Sequence, residues 1–280
     1  MSKPTLLYFP IRGRAENVRL ILEAAGVEYE DAAPSDWPSL KPKLAEEGKL
    51  PFGQLPTLTM GGKTYAQSHA IVNYLAKKHG LAGNDEEEQY RIDAAVFQCD
   101  DWRTGYAQLV YRSADYQGEK PAYLKEKAAH HANLMQNFLK ASEDQGNTFL
   151  IKGRLTSGDL ELWDILDLHV ELDKNFLEPF PVLKSYYERV ANVENIKKYL
   201  QSSRRPQQIN GNQNGRSTLV IQCKKEGDHH KNCCSIGKCI AIELWINEFC
   251  SMYIINMVHV KEFISDTTQT AVNGTSCRSL

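Results

Sequence analysis

The first 80 residues contain no cysteine, so that segment cannot perform dithiol chemistry by itself. Cys99 stands alone in the first 222 residues, and the other six cysteines, Cys223, Cys233, Cys234, Cys239, Cys250 and Cys277, all fall in the last 58. A main body with a single cysteine gives no disulfide scaffold. Charge of one sign is lacking as well: 33 Lys and Arg face 35 Asp and Glu, for a formal net charge of -2. That balance leaves no electrostatic case for nucleic acid or an anionic membrane surface as partner. No clean run of about 18 apolar residues occurs, so a spanning helix is not expected. The opening MSKPTLLYFPIRGR has neither the apolar core nor the small-residue cleavage site of a signal peptide, and a cytoplasmic, reducing setting is the expectation. What is present is 42% hydrophobic residues over 280 positions. That is enough for a sizeable core in one large or two modest domains.

The apolar spacing organises the chain. Residues 4–9 (PTLLYF) read as a short buried strand, and Val18, Ile21, Leu22 and Ala25 recur at helical spacing over Arg14 to Ala25. Gly26 falls where a helix-terminating glycine belongs, and Val27 to Asp31 reads as a second strand. This β-α-β order implies a right-handed crossover and a parallel pair. A Pro-rich stretch with Pro34, Pro38, Pro42 and Pro51 predicts a loop with one short helix near Leu40 to Glu46. Thr57 to Met60 and Lys63 to Ala66 flank Gly61-Gly62, a two-residue hairpin signal. Ser68 to Lys78 reads as a helix stopped by Gly80. From Asp85 onward only helical patterns recur, at 86–112, 122–143, 157–172 and 182–200. The expected division is an α/β domain over 1–80 and an all-helical domain over 85–204.

One helix start carries a strong local signature. Thr156 and Asp159 have the spacing of a capping box, and Leu155 and Leu160 stand at the two positions of a hydrophobic staple. Beyond Arg204 the polar, low-complexity run QSSRRPQQINGNQNGR predicts a disordered exit, and residues 205–280 are left unassigned as a disordered tail. In that tail Cys223, His229, His230, Cys233, Cys234 and Cys239 are zinc-type residues by kind. Their spacing fits no standard zinc pattern, so no metal is expected. Residues 239–264 are apolar, but Glu243, Asn247 and Glu248 interrupt them as a span. Truncation after about Gly215 is expected to leave folding unchanged.

Several residues bear on chemistry. Pro56, in Gln54-Leu55-Pro56-Thr57, precedes a strand, where proline marks a turn or a cis bond. A cis-proline there would present the backbone N–H and C=O of Leu55 to an extended peptide. Gln67-Ser68 opens a helix, whose N-terminus suits a carboxylate. Tyr8 ends the first strand, and a hydroxyl there can donate to a thiolate and favour its ionised form. Taken singly, each has a plain structural reading: loop proline, helix cap, packed aromatic.

Together, YFPIRGRAENVRLILEAAGVEYED, FGQLPTL and QSHAIVNYLAKKHG resemble the cytosolic glutathione S-transferases, in order and with the right spacing, over about residues 3–204. The segment DWPSLKPK and the general cadence are most similar to the sigma class, with the pi class second. The resemblance implies a thioredoxin-like N-terminal domain plus an all-α C-terminal domain. It also implies glutathione as co-substrate, conjugation to small apolar electrophiles, and a homodimer. Residue by residue, it makes Tyr8 the catalytic tyrosine and puts Arg14 near the thiol. It puts Trp37 and Lys41 at the glycyl carboxylate, Gln54 and the Leu55 backbone at the peptide, and Gln67 and Ser68 at the γ-glutamyl carboxylate. Asp101 would reach the γ-glutamyl amine of the neighbouring subunit. Phe9, Tyr106 and Tyr111 are the candidates for the electrophile pocket, and Phe52 for an aromatic key into the partner. Two further readings stay open on the same fold. One is a glutathione-dependent prostaglandin D isomerase, lowered by Gln108 where that enzyme is expected to carry tryptophan. The other is a non-catalytic, crystallin-like ligand carrier.

Overall fold

The structure, a computed structural model, describes residues 3–143 and 148–212. These belong to one compact unit. Four short strands form its sheet: β1 (Thr5–Leu7), β2 (Glu30–Ala32), β3 (Thr57–Met60) and β4 (Lys63–Ala66). Their order is β2-β1-β3-β4, with β1 and β2 parallel and the other two pairs antiparallel. The parallel pair is joined through a single 3₁₀ turn at Gly13–Ala15 and helix α1 (Glu16–Ala24). Gly26 follows with φ of +65°, a conformation that costs glycine nothing. The hairpin falls on the strands and turn expected from Gly61-Gly62.

Helix α2 (Trp37–Glu46) begins three residues before the expected Leu40 and keeps Pro42 inside it. Pro38 sits in its first turn, where its missing N–H would have no partner in any case. Helix α3 (Ser68–His79) ends at Gly80, which takes the left-handed conformation at φ of +71°. The sheet and the two helices against it bury Leu6, Leu20, Ile21, Leu22, Leu58, Ile71 and Leu75 almost fully.

The rest of the described chain is helical. Helix α4 (Glu86–Arg112) has the expected bounds, with Asp85 accepting the Glu88 N–H at 2.8 Å as its cap. The pattern at 122–143 proves to begin earlier. Asp115 caps α5 (Tyr116–Tyr123), a π-helical stretch follows at Leu124–Ala128, and α6 (Ala129–Glu143) continues. The expected helix at 182–200 is two, α8 (Pro181–Ala191) and α9 (Glu194–Leu200), broken at Asn192-Val193. Between α6 and α8 lies α7 (Ser157–Leu172), buried along nearly its whole length and packed against α1, α4 and α8.

The start of α7 shows both halves of the capping box. Asp159 also accepts the Leu150 N–H at 2.8 Å and the Tyr186 hydroxyl, so one buried carboxylate ties α7, α8 and the preceding loop together. Leu160 is buried and Leu155 half-buried.

Residues 205–212, expected to be disordered, are instead bonded into the unit. Arg205 reaches Glu16 at 2.9 Å and Asp167 at 2.6 Å, and Arg12 meets the same Asp167 at 3.1 Å. These are ion pairs between residues far apart in sequence, and no local pattern announces them. The tail cysteines and histidines, the apolar stretch at 239–264 and the truncation point near Gly215 lie outside the described residues. Among the described residues no helix is long and apolar enough to cross a membrane, and no group of three or more His, Cys, Asp or Glu is arranged to hold a metal ion.

Candidate active site

Strand register brings three separated motifs to one end of the sheet. Leu7 pairs with Thr57 and with Ala32, and Thr57 pairs with Ala66. Tyr8 follows Leu7, Pro56 precedes Thr57 and Gln67 follows Ala66, so all three adjoin this paired row at one end of the sheet. The Tyr8 N–H extends the pairing by donating to the Ala32 carbonyl at 3.0 Å.

Tyr8 is buried, its ring edge-on to Phe9 at 5.5 Å between centroids, and Phe9 in turn meets the edge of Trp37 at 5.7 Å. Its hydroxyl oxygen accepts the Arg14 N–H at 3.2 Å. A phenol that accepts this bond still has its own hydrogen to give. Burial raises the Tyr8 pKa above its ordinary value, outweighing the lowering by the Arg14 amide and the nearby guanidinium groups. The group is thus protonated at neutral pH and suited to donate a hydrogen bond, not to serve as a base.

Gly13 explains how the hydroxyl can lie so close to the first turn. A Cβ on Gly13 would stand 2.7 Å from the Tyr8 hydroxyl oxygen, and the backbone there has φ of +44°. Gly13→Ala should therefore displace the hydroxyl and lower kcat/KM by about ten- to a hundredfold, since small misplacements of reacting groups are costly. Steady-state kinetics check this. An unchanged kcat/KM would mean that the hydroxyl position does not matter.

Arg14 does not stand alone beside this hydroxyl. Its guanidinium pairs with Asp100 of α4 at 2.8 Å, and His69 of α3 reaches the same carboxylate at 3.3 Å. Burial acts to raise the Asp100 pKa, but the His69 hydrogen bond and the Arg14 charge outweigh it and hold it well below the usual carboxylate range. The Asp100 hydrogen bond in turn raises His69. Asp101, the acid singled out from sequence, is exposed. Adjacent residues on a helix point to different faces, so the sequence does not say which acid meets Arg14. Asp100 and His69 escape the sequence reading because they reach Arg14 from two other helices and carry no local signature.

The remaining expected residues are placed as follows. Leu55 is buried and Gln54 half-buried, with a cis Leu55–Pro56 bond. Gln67 has φ of +70°, uncommon for a residue other than glycine and a form of strain found at functional sites. It occupies the cap position of α3, so Ser68, read as the cap, is instead the first helical residue. Trp37 is the first residue of α2, buried, with Lys41 one turn further on. Phe9 and Tyr8 line a cavity of about 440 Å³ with Pro10, Arg19, Asp31 and Pro206. Tyr106 is buried, its ring 5.7 Å from that of His169, and Tyr111 is half-buried. Both tyrosine hydroxyls meet Asn210, at 2.7 and 3.3 Å, a residue from the segment expected to be disordered and hence absent from the sequence reading.

A four-stranded sheet with a tyrosine, a loop proline and a helix N-terminus at one end, carried on a helical body, defines the glutathione S-transferase class of fold. Residues 4–77 match the glutathione S-transferase N-terminal domain, and residues 100–203 match the C-terminal domain. Glutathione S-transferase A1 of Mus musculus is 36% identical over 207 residues, 73% of this chain and 92% of that one. The solved pi-class glutathione S-transferase of Onchocerca volvulus aligns with a TM-score of 0.64 at 30% identity, over 71% of this chain and 92% of its own. The prostaglandin synthase D of Nilaparvata lugens aligns with a TM-score of 0.63 at 27% identity, over 72% and 98%. The chain belongs to the glutathione S-transferase family.

Proposed function

We propose that the protein binds glutathione across the end of the sheet, ionises its thiol beside Tyr8, and adds the thiolate to small apolar electrophiles. The observation that carries this is the buried Tyr8 hydroxyl, fixed by the Arg14 amide with its own hydrogen left to give. A donor held in place stabilises the thiolate without reorganising, and holding both reactants supplies much of the remaining rate. Residues 1–80 would hold glutathione, with the electrophile between the first turn and α4, beside the candidates Phe9, Tyr106 and Tyr111. Trp37 and Lys41 would take the glycyl carboxylate, Gln54 and the Leu55 backbone the peptide, and Gln67 and Ser68 the γ-glutamyl carboxylate. Register supports this grouping, because Tyr8, Pro56 and Gln67 each adjoin the paired row of Leu7, Thr57 and Ala66.

We read the protein as a homodimer. Phe52, Tyr90 and Phe97 are exposed at 59, 71 and 68%. Tyr90, Phe97 and Asp101 recur at helical spacing along one face of α4. An acid beside an exposed apolar stripe suits a residue that crosses to a two-fold partner's glutathione. Phe52→Ser should weaken dimerisation and Asp101→Asn should weaken glutathione binding. A sedimentation run showing a fully active monomer at micromolar protein would contradict the shared site.

The sigma-type reading with its isomerase activity draws on the cadence of the sequence and on the likeness to a prostaglandin synthase. Of the solved structures it resembles, one is named a pi-class transferase and one a prostaglandin synthase. Retention on immobilised glutathione, followed by turnover of a chloronitrobenzene-type substrate beside an endoperoxide, separates the readings. Conjugation supports the transferase, rearrangement alone the isomerase, and retention without either the carrier.

A further inference from the structure

Two ties join the first turn to the helical part of the chain. Arg14 and Asn17 stand three residues apart where the 3₁₀ turn runs into α1, and Asp100 and Arg103 stand three apart on α4. Residues at that spacing share a helix face. The first tie is the Arg14–Asp100 ion pair. The second runs through α7: Asn17 Nδ2 donates to Glu161 Oε2, and Arg103 Nη2 donates to Glu161 Oε1 at 3.3 Å. Glu161 thus gives one carboxylate oxygen to α1 and the other to α4. Arg103 also reaches Asp164, further along α7, at 2.7 Å.

All four side chains of the second tie are buried, so water is not an alternative partner. The Oδ1 of Asn17 has no hydrogen-bond partner among the described residues, so the bond to Glu161 is what orients this amide. A buried acid is costly unless its oxygens are bonded, and an apolar residue would fill the same space without that cost. The tie also lies close to the site. Burial raises the Tyr8 pKa, and the Arg103 charge is among those that act against that rise. Asn17 itself follows Arg14, whose amide meets the Tyr8 hydroxyl, by three residues.

We propose that Glu161 is a positioning residue for the thiolate donor: by holding Asn17 from α7 it fixes the start of α1, and with it the Arg14 amide that places the Tyr8 hydroxyl. The inference rests on the transferase reading given above. Without the tie the first turn keeps its ion pair to Asp100 but gains freedom one turn later, and the hydroxyl loses its fixed position. Small displacements of that kind lower the rate of the chemical step more than they lower binding.

The test compares Asn17→Ala, Glu161→Leu and the double variant with wild type. Glu161→Leu should still fold, because Arg103 keeps Asp164 as its partner. Burial pushes the Asp164 pKa up to about 7 against the lowering by Arg103, and the charges of Glu16 and Glu161 add to the rise, so removing the Glu161 charge favours the Asp164 carboxylate. In each single variant kcat for a chloronitrobenzene should fall about five- to tenfold, with the KM for glutathione within about twofold. The thiolate titration of the glutathione complex should move up toward the ordinary thiol value. Amide exchange at Arg14 should quicken by about tenfold. Exchange at Glu30, whose N–H donates to the Pro4 carbonyl at 2.8 Å toward the other end of the sheet, should quicken less. Glu161→Gln keeps an oxygen for Asn17 and should recover most of kcat. The double variant should be no worse than the poorer single one, because both break the same tie. An unchanged thiolate midpoint, equal quickening at Arg14 and Glu30, or additive losses in the double variant would overturn the proposal. Should Glu161→Leu fail to fold, the midpoint and the exchange rates in Asn17→Ala decide alone. Wild-type protein that is not retained on immobilised glutathione contradicts the transferase reading instead, and exchange at Arg14 then still decides whether Glu161 holds the turn.

Discussion

Tyr8→Phe is expected to lower kcat/KM for conjugation by about a hundredfold or more, the usual loss when one fixed donor to a developing anion is removed. The ring of Tyr8 packs against Phe9, and phenylalanine preserves that packing. Stability should therefore change little. The hydroxyl gives up one bond, from the Arg14 amide at 3.2 Å, and that amide sits in a partly buried turn. A fall in kcat with glutathione affinity retained would place the effect in the chemical step. Full activity in Tyr8→Phe would remove the tyrosine from the mechanism.

The second large effect is on the fold. Asp159→Ala should cost about 3–5 kcal/mol of stability, because one buried acceptor is withdrawn from several donors at once. Its carboxylate receives the Leu150 N–H at 2.8 Å, the Thr156 N–H at 2.7 Å, the Thr156 hydroxyl at 2.6 Å and the Tyr186 hydroxyl. None of these donors can turn to water without moving α7, which is the central helix of the unit. For a body of this size, the loss corresponds to a Tm lower by about 10 °C. Denaturant unfolding measures it through the shift in midpoint at constant slope. A loss below about 1 kcal/mol would show that the box is ornamental to the fold.

Both effects rest on residues that were legible in the sequence, and for the same reason. The capping box, the Gly61-Gly62 hairpin and the bounds of α4 are signals carried within a few residues of one another. Tyr8, Pro56 and Gln67 are legible as an ordered set of motifs, and strand register pairs their neighbours Leu7, Thr57 and Ala66 at one end of the sheet. What escaped was carried by distant partners. Asn192-Val193 divides a continuous helical pattern into α8 and α9. The Arg14–Asp100–His69 cluster joins three elements, and neither the acid nor the histidine has a local signature. The run after Arg204 is polar and reads as disorder by composition, yet Arg205 draws it in through Glu16 and Asp167. Buried ion pairs of this kind overrule composition, because the two acids are themselves buried and need a counter-charge.

The central claim, that Tyr8 ionises bound glutathione, is tested most directly by titrating the thiolate absorbance of the glutathione complex against pH. In the wild-type protein the thiol pKa should fall well below the ordinary value of about 8.5, so that thiolate is already abundant at neutral pH. In Tyr8→Phe the midpoint should return toward that ordinary value while glutathione remains bound. Superimposable titrations for the two proteins, with glutathione bound in both, would contradict the account.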